Sequence, residues 1–173
     1  KINNKLAGEI HQGGFICFNY DITDKLKFGK SNELEVKVWK ESANKSVNAA
    51  ERRADWWLFG GIYRPVYLKA MPKTHIERIA VNATADGKVS TEVYMNNLPE
   101  GYSLATSLTP VGESRAIGKQ TNTLGTGNVQ TISTDWKGIR TWDCEHPNLY
   151  TLRLELLDSQ KQIVHVHEER IGF

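Results

Sequence analysis

Two cysteines in 173 residues, Cys17 and Cys144, are too few for a disulfide framework. They fall in different parts of the chain and read as free thiols. No apolar run approaches the ~20 residues of a membrane-spanning helix, so nothing in the composition points to a membrane. Net charge is only +2, and basic residues are dispersed among acidic ones. That gives no case for nucleic acid or an anionic lipid surface as partner. No charged-then-apolar leader opens the chain, and the compartment stays open. Glycine-rich phosphate loops, a Ser-His-Asp context, heptads and 20- to 50-residue repeats are missing as well, which removes the nucleotide-binding, serine-hydrolase, coiled-coil and solenoid classes.

What the chain has is alternation with turn punctuation, the pattern of short strands. In residues 1–72, Gly13 and Gly14 precede an apolar segment, Phe15 to Tyr20. Asp21 to Asp24 reads as a turn held by its own polar side chains, and Phe28 to Asn32 as another. Leu34, Val36 and Val38 alternate with Glu35, Lys37 and Trp39. Lys40 to Ala54 is polar, lacks a strand pattern and is expected to be a long loop. With a strand at Val66 to Lys69, at most four strands precede Pro72. A jelly roll needs about eight, so 1–72 reads as part of one.

Pro72 and Lys73 are read as the linker into a second domain, 73–173. Ile79, Val81 and Ala83 alternate with polar residues, and Asp86-Gly87 predicts a two-residue hairpin into Val89, Thr91, Val93 and Met95. Further strands are expected at Leu104 to Leu108, Val129 to Thr134, Tyr150 to Leu156 and Ile163 to Glu168. Six strands are thus marked of the about seven expected in roughly 100 residues, the rhythm of an immunoglobulin-like sandwich. The chain is thus expected to be all-β, a partial jelly roll followed by that sandwich.

The densest stretch is DWWLFGGIYRPVYL, Asp55 to Leu68. Gly60 and Gly61 mark a tight bend or a close backbone approach. Trp56, Trp57 and Phe59 are either core or a platform. Asp55 changes that balance, because a carboxylate beside tryptophans and a glycine bend suits a sugar subsite, where ring faces stack and hydroxyls bond to acids.

This run resembles the end of the sugar-binding domain in family 2 glycoside hydrolases, the beta-galactosidase and beta-glucuronidase family. The residues that carry the resemblance are Asp55, Trp56, Trp57, Phe59, Gly60, Gly61, Ile62, Tyr63 and Arg64. NNKLAGEIHQGGFICFNYDITDKLKFGKSNELEVKVW resembles an earlier segment of the same domain, with Asn4 standing where the family's hairpin has glycine. HPNLYTLRLELLD and the terminal Gly172-Phe173 resemble the last strands of the family's immunoglobulin-like domain.

The resemblance implies a non-catalytic part of a retaining β-glycosidase, acting on a galactoside first and a glucuronide second. Its partners would be carbohydrate and the catalytic barrel of the parent chain, expected beyond Phe173. Asp55 matches the family acid that reaches a sugar hydroxyl, in some members through a sodium ion, and Trp57 the aromatic behind it; Arg64 is expected to bond across the domain. No catalytic residue is assigned. Retaining glycosidases place two carboxyls about 5 to 5.5 Å apart, and none of the acids here has the barrel-strand setting; Asn32-Glu33 reads as a turn. His165 and His167 share a strand face, yet without a third ligand they read as exposed or partner-facing histidines rather than a metal site, and His11 as a turn residue. A half-sandwich with bare apolar faces is expected to self-associate. The reading from another class is a carbohydrate-binding or adhesion module of two sandwiches with no enzyme attached.

Overall fold

The structure, a computed structural model, describes residues 1–53, 55 and 59–173. They form two compact units, Lys1–Tyr67 and Leu68–Phe173.

The second unit is a two-sheet antiparallel sandwich of seven strands: β1 (His75–Ala83), β2 (Lys88–Asn96), β3 (Ser103–Pro110), β4 (Gly118–Thr123), β5 (Val129–Asp135), β6 (Leu149–Leu157) and β7 (Ile163–Gly172). One sheet runs β1-β2-β5 and the other β4-β3-β6-β7. This is the all-β, immunoglobulin-like architecture that the strand rhythm predicts. Val89, Thr91, Val93 and Met95 of β2 face Tyr150, Leu152, Leu154 and Leu156 of β6 across the interior, and all eight are buried. Each leucine or valine so removed from water contributes roughly 1.5–3 kcal/mol before entropy is counted.

Three details depart from the expected pattern. β1 starts at His75, four residues earlier than Ile79, because a bulge shifts the register between Ile76 and Arg78. Ile76 is buried while Glu77 and Arg78 are both exposed, so the period of two is broken once and the strand is legible only past the break. The hairpin between β1 and β2 has three loop residues rather than two. Thr84 N–H donates to the Lys88 carbonyl and Gly87 N–H to the Thr84 carbonyl, with Gly87 at φ +90°. That is a turn closed by one left-handed glycine. Gly87 also lies against the next crossing: its carbonyl accepts the Trp136 N–H at 2.9 Å, and a Cβ there would meet the Trp136 carbonyl oxygen at 2.2 Å. Finally β4, Lys119 to Thr123 in its polar part, carries no apolar alternation because it is an edge strand.

Tyr150 pins the start of β6. Its ring is buried edge-on to Phe173 with centroids 5.3 Å apart. Its hydroxyl accepts the Arg140 N–H at 2.6 Å and donates to the Arg140 carbonyl at 3.4 Å. A tyrosine at the start of this strand bonding back to upstream backbone is a recurring corner of such sandwiches. On the outer face Glu155, nearly buried, receives Lys119 Nζ at 2.7 Å and Arg153 Nε at 3.0 Å, and Arg153 reaches on to Glu168. The Lys119 ammonium first, and Arg153 after it, hold the Glu155 carboxyl below its usual pKa against the opposing effect of burial.

In the first unit the expected strands do not form ladders. Among its described residues the only bridges are Ile2 with Lys5 and Ile2 with Leu34. Phe15, Val36, Val38 and Val66 are exposed. Alternation makes a segment capable of being a strand, but the ladder needs a hydrogen-bonded neighbour. The turns are as read. Asp21 accepts the Thr23 N–H at 2.9 Å, ahead of a 3₁₀ turn at Thr23–Lys25. Asn32 binds the Lys27 N–H at 2.8 Å and the Lys27 carbonyl at 3.0 Å. The hairpin at Ile2–Lys5 closes despite Asn4, with Asn3 and Asn4 both left-handed at φ 49° and 66°; asparagine tolerates that region better than other residues with a Cβ. The expected long loop is corrected too. Lys45–Arg52 is a helix, α1, capped by Asn44, whose side chain accepts the Ser46 and Val47 N–H groups.

Candidate functional site

Of the segment Asp55 to Leu68, which follows α1 in the sequence and contains Gly60 and Gly61, the structure describes Asp55 and residues 59–68. Arg52 at the helix end pairs with Glu41, which fixes the last turn from the approach side. Asp55 follows at an exposed bend. Trp57, the second candidate sugar-binding residue, and its neighbour Trp56 lie outside the described residues. Phe59 is 90% exposed. The bend that follows favours glycine at Gly61, which sits at φ +106°, whereas a Cβ on Gly60 would make only an ordinary contact with the Lys40 side chain at 3.4 Å. Ile62, Tyr63, Val66, Tyr67 and Leu68 are also exposed. Arg64 does not bond across the unit through any contact with a described residue; its guanidinium lies over the ring of adjacent Tyr63, 5.4 Å from the centroid. The strand expected at Val66 to Lys69 is absent as a ladder.

The chemistry this can offer is recognition. An exposed carboxylate accepts hydroxyl hydrogen bonds, and exposed aromatic faces stack on apolar ring faces. A second aromatic group lies on the same unit, His11 stacked on Phe18 with centroids 4.0 Å apart and Phe18 edge-on to Tyr20 at 5.5 Å. His11, expected as a turn residue, lies just ahead of a bend at residues 14–16, its Nε2 2.9 Å from the Gly13 carbonyl. Trp39 is exposed under the Lys37 ammonium, 4.7 Å from the centroid.

Cys17 and Cys144 are free and exposed. Among the described residues no group of three or more His, Cys, Asp or Glu is placed to hold a metal ion. His165 and His167 are half-buried rather than exposed. Their strand partners explain it: His165 pairs with Leu156 and His167 with Leu154, two core residues of β6, so the imidazoles sit on the inner side of the sheet. Sequence reasoning missed this because β7 carries its polar residues on the face that β6 uses for leucine.

The second unit is an antiparallel two-sheet β-sandwich, and the first is loop-rich with exposed aromatic residues. The fold is shared with an FMN-binding beta-glucuronidase from Facaelibacterium prausnitzii L2-6, at TM-score 0.73 and 22% identity over 99% of this chain and 27% of that one. A glycosyl hydrolase family 2 member from Bacteroides cellulosilyticus DSM 14838 superposes at TM-score 0.74 and 20% identity, over 99% of this chain and 24% of that one. Residues 74–173 match the model of the glycosyl hydrolases family 2, and the chain belongs to that family. A Clostridium acetobutylicum beta-galactosidase is 29% identical across 99% of this chain and 19% of its own length. The chain spans about a fifth of the curated relatives it matches, between 19% and 22% for three of them.

Proposed function

We propose that this chain is the non-catalytic, sugar-facing part of a retaining β-glycosidase, with residues 1–72 contributing to the sugar-binding jelly roll and 73–173 forming the immunoglobulin-like support. The observation that carries the reading is family membership joined to the exposure of Asp55, which precedes Gly60 and Gly61 in the sequence. In this reading Asp55 accepts a sugar hydroxyl, directly or through a sodium ion to which it supplies one carboxylate ligand, and Trp57 backs the sugar ring. The catalytic carboxyl pair belongs to the barrel of the parent chain. A galactoside is taken ahead of a glucuronide; relatives named beta-galactosidase, 29% identical over 99% and 90% of this chain, support the first, and a putative beta-glucuronidase from Formosa agariphila, 31% identical over 99% of it, supports the second. Exposed Phe15, Leu34, Val36 and Val38 support a first unit completed by further chain or by a second copy.

The test is turnover of aryl β-galactoside and aryl β-glucuronide by the purified 173-residue chain beside its longer parent. The parent is expected to cleave one of them and the chain alone to stay at background. Turnover by the chain that vanishes when one of its own acids is replaced would overturn the reading.

A further inference from the structure

The seam where β1 of one sheet meets β7 of the other is closed by a side chain. The Ile76 main-chain N–H donates to Nδ1 of His165 at 3.1 Å. Ile76 is completely buried, so its N–H has no water to turn to if this acceptor is lost, and an orphaned buried donor is costly. A main-chain N–H can only donate. Nδ1 of His165 must therefore present its lone pair, which fixes the ring as the neutral tautomer with hydrogen on Nε2. Protonating Nδ1 destroys the acceptor and places two donors face to face.

The surroundings also oppose a positive charge on His165. His75, at the start of β1, lies edge-on with ring centroids 5.9 Å away. Its Nδ1 is 2.7 Å from the Pro72 carbonyl. A carbonyl only accepts, so His75 carries hydrogen on Nδ1. His167 follows on β7, its Nε2 3.8 Å from Glu169, and Lys69 precedes β1. β6 offers no carboxylate there, presenting Leu154 and Leu156 opposite the two histidines. Burial first, then His75, His167 and Lys69, hold the His165 imidazole below its ordinary pKa of 6.5.

We propose that the β1–β7 seam is a pH-sensitive latch, in which neutral His165 holds β1 against β7 through the Ile76 N–H and acidification frees β1 from the second sheet. The strand released is the one that begins the sandwich, so the latch governs how firmly the segment from Leu68 to Ile76 is anchored while β2 to β7 keep their packing. The sign follows from linkage. A histidine whose folded pKa lies below its unfolded value contributes stability that is complete above the unfolded value, and that is lost as pH falls from there toward the folded value.

Amide hydrogen exchange on the 173-residue chain between pH 7.5 and 5.0 tests this, with the intrinsic pH dependence of exchange divided out. Protection of the Ile76 amide and its β1 neighbours is expected to fall below about pH 6.5, by at most roughly tenfold per pH unit, the limit for one proton. His165→Asn keeps an acceptor near the Nδ1 position and cannot titrate, so its β1 protection is expected to stay flat over that range. A flat wild type, or a variant with the wild-type slope, overturns the proposal. Imidazole nitrogen shifts of the wild type give a reading that needs no variant. Finding His165 with hydrogen on Nδ1 at pH 7.5 also overturns it.

Discussion

Replacing Tyr150 by Phe removes one oxygen from the interior of the sandwich and leaves everything around it in place. The ring stays buried and keeps its edge-on contact with Phe173 at 5.3 Å. What is lost is an acceptor 2.6 Å from the Arg140 N–H and a weaker donation, at 3.4 Å, to the carbonyl of the same residue. The first bond dominates, since the second is near the limit of useful geometry. Leaving a partly buried N–H without a partner costs about 1–3 kcal/mol, whereas deleting both partners of a bond costs less. For a unit of this size that is a fall in Tm of roughly 4–12 °C. Urea unfolding followed by tryptophan fluorescence reads it as a lower midpoint with unchanged slope. Tyr150→Leu is the control that also loses the ring contact, and it is expected to be worse. A Phe variant within about 0.3 kcal/mol of wild type would mean the hydroxyl is not what fixes the start of β6, and the corner argument would fall.

Gly87→Ala is expected to lower stability by more than the ~1–3 kcal/mol that a left-handed residue costs, because its Cβ would stand 2.2 Å from the Trp136 carbonyl oxygen. Gly112→Ala shares the positive φ of 89° but meets nothing within 4 Å, so equal losses in melting temperature would refute the close-approach account. The lowered pKa of Glu155 places its contribution above the unfolded value near 4.5 and removes it as pH falls through the folded one. Denaturation midpoints of Glu155→Gln are therefore expected to depend less on pH below about 4.5 than those of wild type, and parallel curves would contradict this.

How much of the molecule was legible in the sequence varies with how each strand is buried. β6 reads cleanly because one face is pure core, Tyr150, Leu152, Leu154 and Leu156, and the other is mostly polar. β1 is half legible, since one bulge at Glu77 resets the phase. β4 is silent because an edge strand needs no apolar stripe, and α1 hides behind its polarity, although Asn44 ahead of Ala49 and Ala50 is a capping signal. In the first unit the alternation of Leu34, Val36 and Val38 is real, but pattern alone cannot supply the neighbour that turns extended chain into sheet. The candidate site was legible only through resemblance. No physical pattern singles out Asp55 from the other exposed acids until the glycine bend and the family are placed beside it.

Asp55→Ala in the full-length parent, with kcat/KM and melting temperature measured on one preparation, tests the central claim most directly. A charge-assisted contact to a sugar hydroxyl is worth about 1.5–3 kcal/mol. The expected outcome is a roughly 10- to 150-fold loss of kcat/KM at an unchanged melting temperature, with a smaller loss for a substrate lacking the hydroxyl that Asp55 holds. An unchanged kcat/KM with a fallen melting temperature would make Asp55 a cap of its own loop and contradict the sugar-facing account.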